Sequence, residues 1–477
     1  MRNRRPSNDA ATLGSPLISD PDRRHMLQLA LAGTLGGLLP SWPVAAGSFL
    51  ADPASAPSMP ASWHPPERLA DGLRNALLAS LNLLPVTGGC LSFIGALFIP
   101  IVGKSAEQMW REYVNRAISE AVFRLIRSDL EGLSAVAKLY RRAVDSGDLK
   151  ALGVQSIAAN TSFVAALPRF RLPGEEVALL PLYAIAATMH LALLRDMALN
   201  AEALGFTAAF RKGIETQLSR CIKQYSEYVD RQVAAALAKT RADNPNRGTP
   251  QTRNQPLAAL LGVKAVLQST VIDIRDTWYA FDAVKYPGKV TVRLDREIFY
   301  LAGWWDSNSK APVDIPRYPV PTSTIRRMEF WQHRYRKQDY LAGVSLDYAD
   351  GTRLRTGEIA GKLTTLDLPG NGYINRVRVF FGSTVERVEL GVGRDTQWRT
   401  VGTRRTLTDP AIVAPASHRL SSMRSAGGSR GTDGQDDCGY LIGFQLVDQV
   451  AKRMDLELFD RIAPGIAPRL LDWAVGA

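Results

Sequence analysis

Apolar residues recur at helical spacing through successive long segments of residues 67–284. From Glu107 to Val144, Trp110, Val114, Ala117, Ala121, Leu125, Leu133, Val136 and Tyr140 fall on nearly one stripe, interrupted by Gly132, so one bent helix or two helices are expected. A second segment runs from Gly147 to Leu167 and is closed by Pro168. Its apolar side carries Leu149, Leu152, Ile157, Val164 and Leu167, with Gln155, Asn160, Thr161 and Ser162 supplying uncharged polarity in the middle. From Thr207 to Lys239, Ile214, Leu218, Ile222, Tyr225, Val229 and Val233 align, and from Pro256 to Ala283 so do Leu260, Leu267, Val271, Ile274, Trp278 and Phe281.

One segment lacks a polar face. The eighteen residues from Val177 to Leu194 carry no permanent charge, and as a helix they reach about 27 Å, close to the thickness of bilayer hydrocarbon. A helix apolar on all sides belongs either in lipid or at the centre of a protein core. Its neighbours each have an apolar face to bury, so the centre of a soluble bundle is the first expectation. His190 within the run reads as a hydrogen-bonded core group, with a ligand or base as the alternative. Arg195 and Asp196 end it and read as partners in structural salt bridges. The short RFRLPG loop joins this helix to the amphipathic one before it as an antiparallel hairpin of nearly membrane-spanning length. The same hairpin suits a soluble core before insertion and a pore wall afterwards, because helices satisfy their backbones internally in either setting.

After Tyr286 the period changes from helix to strand. Val290, Val292 and Leu294 alternate, as do Val377, Val379 and Phe381, and short runs bounded by Gly, Asp or Pro continue to GYLIGFQLVDQ. A prism or sandwich of about 185 residues is expected, and periodicity alone does not choose between them. Aromatics beside polar groups in the connections are candidate receptor contacts: Trp304, Trp305 and Tyr318 in one, Asn371 and Tyr373 in a second, Asp395 and Trp398 in a third. Edge packing is the plainer role for each.

Composition adds limits. The chain of 477 residues is 46% hydrophobic and 22% charged, ordinary soluble values. A net charge of +12 favours anionic partners without naming one, and no nucleic-acid motif accompanies it. Arg23 and Arg24 precede an apolar run with small residues near Ala45, which fits a twin-arginine export signal over 1–46; a Pro/Ala/Ser-rich spacer covers 47–66. Cys90, Cys221 and Cys438 lie far apart and read as small buried hydrophobes. Asp433, Asp436 and Asp437 lack EF-hand spacing. The GGSRG of residues 427–431 falls in a Gly-rich loop and not on a strand-to-helix elbow, and no HExxH or Gly-rich phosphate loop is present, so neither catalysis nor a cofactor or metal is expected.

Several motifs occur in a telling order: PVTGGCLSFIGALFIP from Pro85, LEGLSAVAKLY from Leu130, LPRFRLPGEEVALLPLYAIAATMHLALLRDMALNAEALGF from Leu167, and IDIRDTWYAFDAVKYPGKVTVRLDREIFY from Ile272. Together they resemble the insecticidal crystal delta-endotoxins over about residues 67–300. The resemblance implies an α+β multidomain protein, with a seven-helix-like bundle around a central hydrophobic helix (67–288) followed by an all-β, jacalin-like prism (289–477). It also implies a pore-forming toxin that binds a cell-surface glycan or glycoprotein receptor and oligomerises as its fourth and fifth helices enter the target membrane. On that basis Gln155, Asn160 and Thr161 are candidate pore-lining residues, and Arg169 and Arg171 candidate headgroup contacts. A secreted carbohydrate-binding lectin or adhesin with a structural helical domain is the alternative. The chain departs from the family in lacking room for the usual third, jelly-roll domain and in carrying an export-like leader.

Overall fold

The computed structural model describes scattered positions between 126 and 145 and most residues from 146 to 446, with breaks that include 246–254, 304–314, 369–372, 394–396 and 430–435. The signal and spacer segments, the PVTGGCLSFIGALFIP motif from Pro85, most of the Glu107–Val144 stripe, Cys90 and Cys438 lie outside the described residues.

The helical half comprises α1 (Leu149–Ala166), α2 (Glu176–Leu199), α3 (Ala208–Asp243) and α4 (Gln255–Leu267). A π turn (Gln268–Ile272), the short α5 (Asp273–Arg275) and a 3-10 turn (Trp278–Phe281) continue the line of α4. Asp148 caps α1 by accepting from the Lys150 and Ala151 amides, and Thr207 caps α3 by accepting from the Phe210 amide. Pro168 ends α1 in a 3-10 turn (Leu167–Arg171), whereas Pro181 is carried inside α2 near its start. Leu179–Ala198 of α2 is buried without interruption, wrapped by α1, α3 and the α4–α5 line. The expected stripes of α3 and of the Pro256–Ala283 segment face this core: Ile214, Leu218, Tyr225 and Val229 are buried, as are Leu260, Leu267, Val271, Ile274, Trp278 and Phe281.

α1 differs from its expected face. It buries Leu152, Gly153, Ser156, Ala159, Phe163 and Ala166, while Leu149, Val154, Ile157 and Val164 are exposed. Close approach explains part of the choice. A Cβ on Gly153 would meet the Leu204 carbonyl oxygen at 2.8 Å, so small residues are what let this side seat against the turn after α2.

Among the described residues the β half has fourteen strands: β1 (Ile298–Gly303), β2 (Ile325–Tyr335), β3 (Gln338–Tyr348), β4 (Arg353–Gly357), β5 (Lys362–Asp367), β6 (Ile374–Phe381), β7 (Val385–Val392), β8 (Trp398–Gly402), β9 (Leu407–Thr408), β10 (Ile412–Val413), β11 (His418–Ser425), β12 (Gly428–Ser429), β13 (Asp436–Asp437) and β14 (Gly439–Leu446). All pairs are antiparallel. They make sheets in the orders β1-β14-β11, β4-β3-β2-β5 and β10-β6-β7-β8 with β9 also on β6, plus the pair β12-β13. The three larger sheets turn Phe330, Val344, Val377, Val388, Ile442 and Phe444 into one shared core, a prism and not a two-layer sandwich.

Two sequence expectations fail here. Val290, Val292 and Leu294 alternate but form no strand; Val290 and Val292 join the helical core instead, with Leu294 packed against it. Conversely, β11 was not anticipated. Ser421 and Ser422 break its hydrophobic pattern at a bulge, where both hydroxyls bond to Glu297.

The junction of the halves is polar at its centre. Asp273, fully buried, is held by the Arg296 guanidinium through two contacts and by the Gln268 amide, and Arg296 also meets His418 Nε2 at 2.7 Å. Arg195 of α2 donates to the carbonyls of Ala280, Phe281 and Gly288, so the anticipated salt bridge is a cage of backbone acceptors. Asp196 faces the Tyr140 hydroxyl at 3.5 Å.

Candidate functional site

Within the uncharged run of α2, Thr188 and His190 tie the helix to its neighbours through matched polar contacts. Thr188 accepts from the Trp278 indole at 2.8 Å and donates to the Ala184 carbonyl. His190, with no exposed surface, has Asn160 Oδ1 of α1 at 2.7 Å from Nε2 and the Tyr225 hydroxyl of α3 at 2.8 Å from Nδ1. A carbonyl oxygen can only accept, so Nε2 carries the proton and Nδ1 receives one from Tyr225. Burial holds the Tyr225 phenol well above its ordinary pKa, which keeps it a donor. Phe163 stacks on the imidazole at 5.7 Å between centroids, and Gln217 donates to the same Asn160 oxygen at 3.2 Å. His190 is thus a satisfied core histidine linking three helices.

The hairpin loop is fastened too. Arg171 donates to the Tyr183 hydroxyl at 2.6 Å, and its guanidinium carbon sits 4.8 Å from the centre of the Tyr183 ring and 4.4 Å from that of Tyr228. Arg169 is largely exposed and reaches Asp129 at 3.1 Å. The two arginines paired in the sequence therefore sit in different settings, one clamped between rings and one in solvent.

Among the lumen candidates, Asn160 is half-buried in the His190 network. Gln155 is half-buried, and Thr161 is exposed and bonded to the Ile157 carbonyl. At about 100° per residue they spread around α1 and do not share one face.

Of the receptor candidates, Trp304, Trp305, Asn371 and Asp395 lie outside the described residues. Tyr318 packs against Phe299 and the α4 residues Leu257 and Leu261, with the Arg424 guanidinium 4.3 Å from its ring centre. Trp398 lies under Arg376 and Arg378 at 5.1 and 4.6 Å. Gly391, between Arg376 and Trp398 in the sheet register, leaves room for that reach, since a Cβ there would meet Arg376 Nε at 2.7 Å. Tyr373 is exposed at a loop edge. Arginine stacking on Trp398 could not be read from the sequence, because it depends on cross-strand register, and that on Tyr318 joins residues over a hundred positions apart. Among the described residues no cluster of potential metal ligands occurs.

A bundle of amphipathic helices around a sheltered apolar helix, joined to a three-sheet β prism, defines a two-part α+β protein. Residues 76–282 match the family model described as delta endotoxin, N-terminal domain. The pesticidal crystal protein Cry1Ib of Bacillus thuringiensis subsp. entomocidus is 28% identical over 209 residues, which are 41% of this chain and 28% of that protein. Cry1Da of B. thuringiensis subsp. aizawai is 25% identical over 271 residues, 54% of this chain and 22% of that one. The chain thus spans under a third of these relatives. Two solved structures share the fold: the insecticidal crystal protein Cry7Ca1 of B. thuringiensis (TM-score 0.62, 16% identity, 80% of this chain and 75% of that one) and PirB (TM-score 0.62, 16% identity, 80% and 95%).

Proposed function

We propose that the protein is a pore-forming toxin that permeabilises a target membrane by inserting the α1–α2 hairpin, without an enzymatic step. The observation that carries this reading is α2 itself. Its 24 residues have a mean hydropathy of 2.0 over the best 18-residue window, and 89% of that window is buried. A helix of that length spans about 36 Å, enough to cross bilayer hydrocarbon. Water cannot accept this surface bare, so the bundle shelters it; lipid can. α1 carries uncharged polar positions and an outward row of Leu149, Val154, Ile157 and Val164, a composition suited to lying between lipid and water.

In this reading residues 67–288 form the insertion unit and 289–477 the unit that binds a cell-surface glycan or glycoprotein receptor. The leader at 1–46 directs export. One hairpin encloses no wide path, so several assemble. Gln155, Asn160 and Thr161 are proposed lining positions, of which the helical projection permits only part to face one lumen. Arg169 is the readier headgroup contact, and Arg171 becomes available once it leaves its two rings. Trp304, Trp305, Tyr318, Asn371, Tyr373, Asp395 and Trp398 remain proposed receptor contacts, with Tyr318 and Trp398 acting as arginine-stacked supports unless their rings are uncovered.

The test is release of entrapped dye and single-channel conductance across receptor-bearing bilayers. Discrete conductance is expected, and a disulfide joining α2 to α3 should abolish it until reduced. A folded, receptor-bound protein that releases nothing refutes the reading and leaves the lectin or adhesin alternative.

A further inference from the structure

A groove of about 680 Å³ opens between α1, the end of α2 and the first turns of α3. That is the scale of a site for a small amphiphile. Its apolar wall is made by Ile157, Met197, Phe210 and Ile214. Met197 and Ile214 are buried, whereas Ile157 and Phe210 are 45% and 39% exposed, so the wall runs from the core to the surface. Two cations, Lys212 and Arg220, stand on its rim. Arg211 and Lys212 share Glu215 at 3.0 and 3.4 Å, so with Arg220 the rim keeps a positive balance. The amides of Asn160 and Gln217 line the groove as well and are the ones bonded to each other beside His190.

An apolar wall ending under a cationic rim is complementary to a molecule with a hydrocarbon tail and an anionic head. We propose that this groove binds an anionic phospholipid of the target bilayer, with one acyl chain against Ile157, Met197, Phe210 and Ile214 and the phosphate between Lys212 and Arg220. The proposal rests on the membrane-permeabilising reading and gives it a trigger. A chain lying between α1 and α3 displaces Gln217 from Asn160 and so loosens the seam that keeps the hairpin against the bundle. Lipid contact is thereby coupled to hairpin release at the side where α1 must leave α3.

Gly213 supplies the test. It lines the groove, is exposed, and a Cβ there meets no other heavy atom within 4 Å, so a larger side chain fills the groove without displacing its walls. Glycine is also a poor helix former, so G213L should preserve or raise helix stability. Calorimetric titration of the full chain with monomeric dioctanoyl phosphatidylglycerol should give saturable binding, at least tenfold tighter than dioctanoyl phosphatidylcholine. Gly213→Leu, and independently Ile157→Glu, should weaken it at least tenfold, while Arg220→Gln should remove the headgroup preference. Equal affinity for both lipids, or undiminished binding by both groove variants, overturns the proposal. Dye release, measured in parallel, separates the two readings. Release without monomer binding sinks the groove alone, and monomer binding without release sinks the pore.

Discussion

The two arms of the hairpin are nearly equal in hydrophobic promise and opposite in how they use it. The uncharged run of α2 has no broad polar face, and the whole stretch Leu179–Ala198 is enclosed. α1 had a choice, and it turns Gly153, Ser156, Ala159 and Ala166 inward while leaving Val164, 51% exposed, and Ile157 at the surface. Hydrophobicity states what a residue tolerates; approach distance states which residue is taken. The arm with the smaller inward residues can sit closer to its neighbours, and its outward apolar row is then available for other company.

Substitutions sharpen that contrast. Ile185→Ala in α2 should destabilise the fold by about 2–5 kcal/mol in urea titration, because it leaves a cavity at a site closed on all sides. A cost below about 1 kcal/mol would mean that α2 is less enclosed than described. Asn160→Ala, at the polar link between the arms, deprives His190 Nε2 and the Gln217 amide of their acceptor and should cost about 1–3 kcal/mol, while Thr161→Ala one residue on should be nearly neutral.

The β half offers a gentler version of the same test. Glu297 accepts from Ser421 and Ser422, yet burial still raises its carboxyl above its ordinary pKa of 4.5. Between 4.5 and the raised value the unfolded chain gives up a proton that the folded one retains, so wild-type stability falls as pH rises through that window. Glu297→Gln should therefore melt higher than wild type at pH 7, and the gap should close as pH drops below about 4.5. A gap independent of pH would show that the carboxylate is not penalised. Smallest of all, Val164→Ala on the exposed face of α1 should shift stability by no more than about 0.5 kcal/mol, in contrast to Ile185→Ala.

Much of this was legible beforehand. The uncharged run, the α3 and α4 stripes and the alternation of β6 all faced where their periods pointed, because each had one strongly preferred side or none. The failures share a cause. Val290, Val292 and Leu294 carry a strand's spacing, but the helical core takes their side chains. β11 carries serines where a strand should show apolar residues, because a carboxylate over a hundred positions earlier in the chain needed donors. Arg171 looked like a solvent-facing loop charge, and the Tyr183 and Tyr228 rings that enclose it come from two different helices.

By itself the sequence determined that a helical half precedes a β half, that α2 must be hidden from water, and that nothing in the spacing calls for a metal or a catalytic group. Those properties are local, set by residue type and period. Tertiary structure alone decided which side of α1 faces inward, that three sheets share one core, that His190 bridges three helices and that a cation-rimmed groove lies beside it. Such outcomes depend on distances between segments far apart in the chain, and no short-range pattern encodes them.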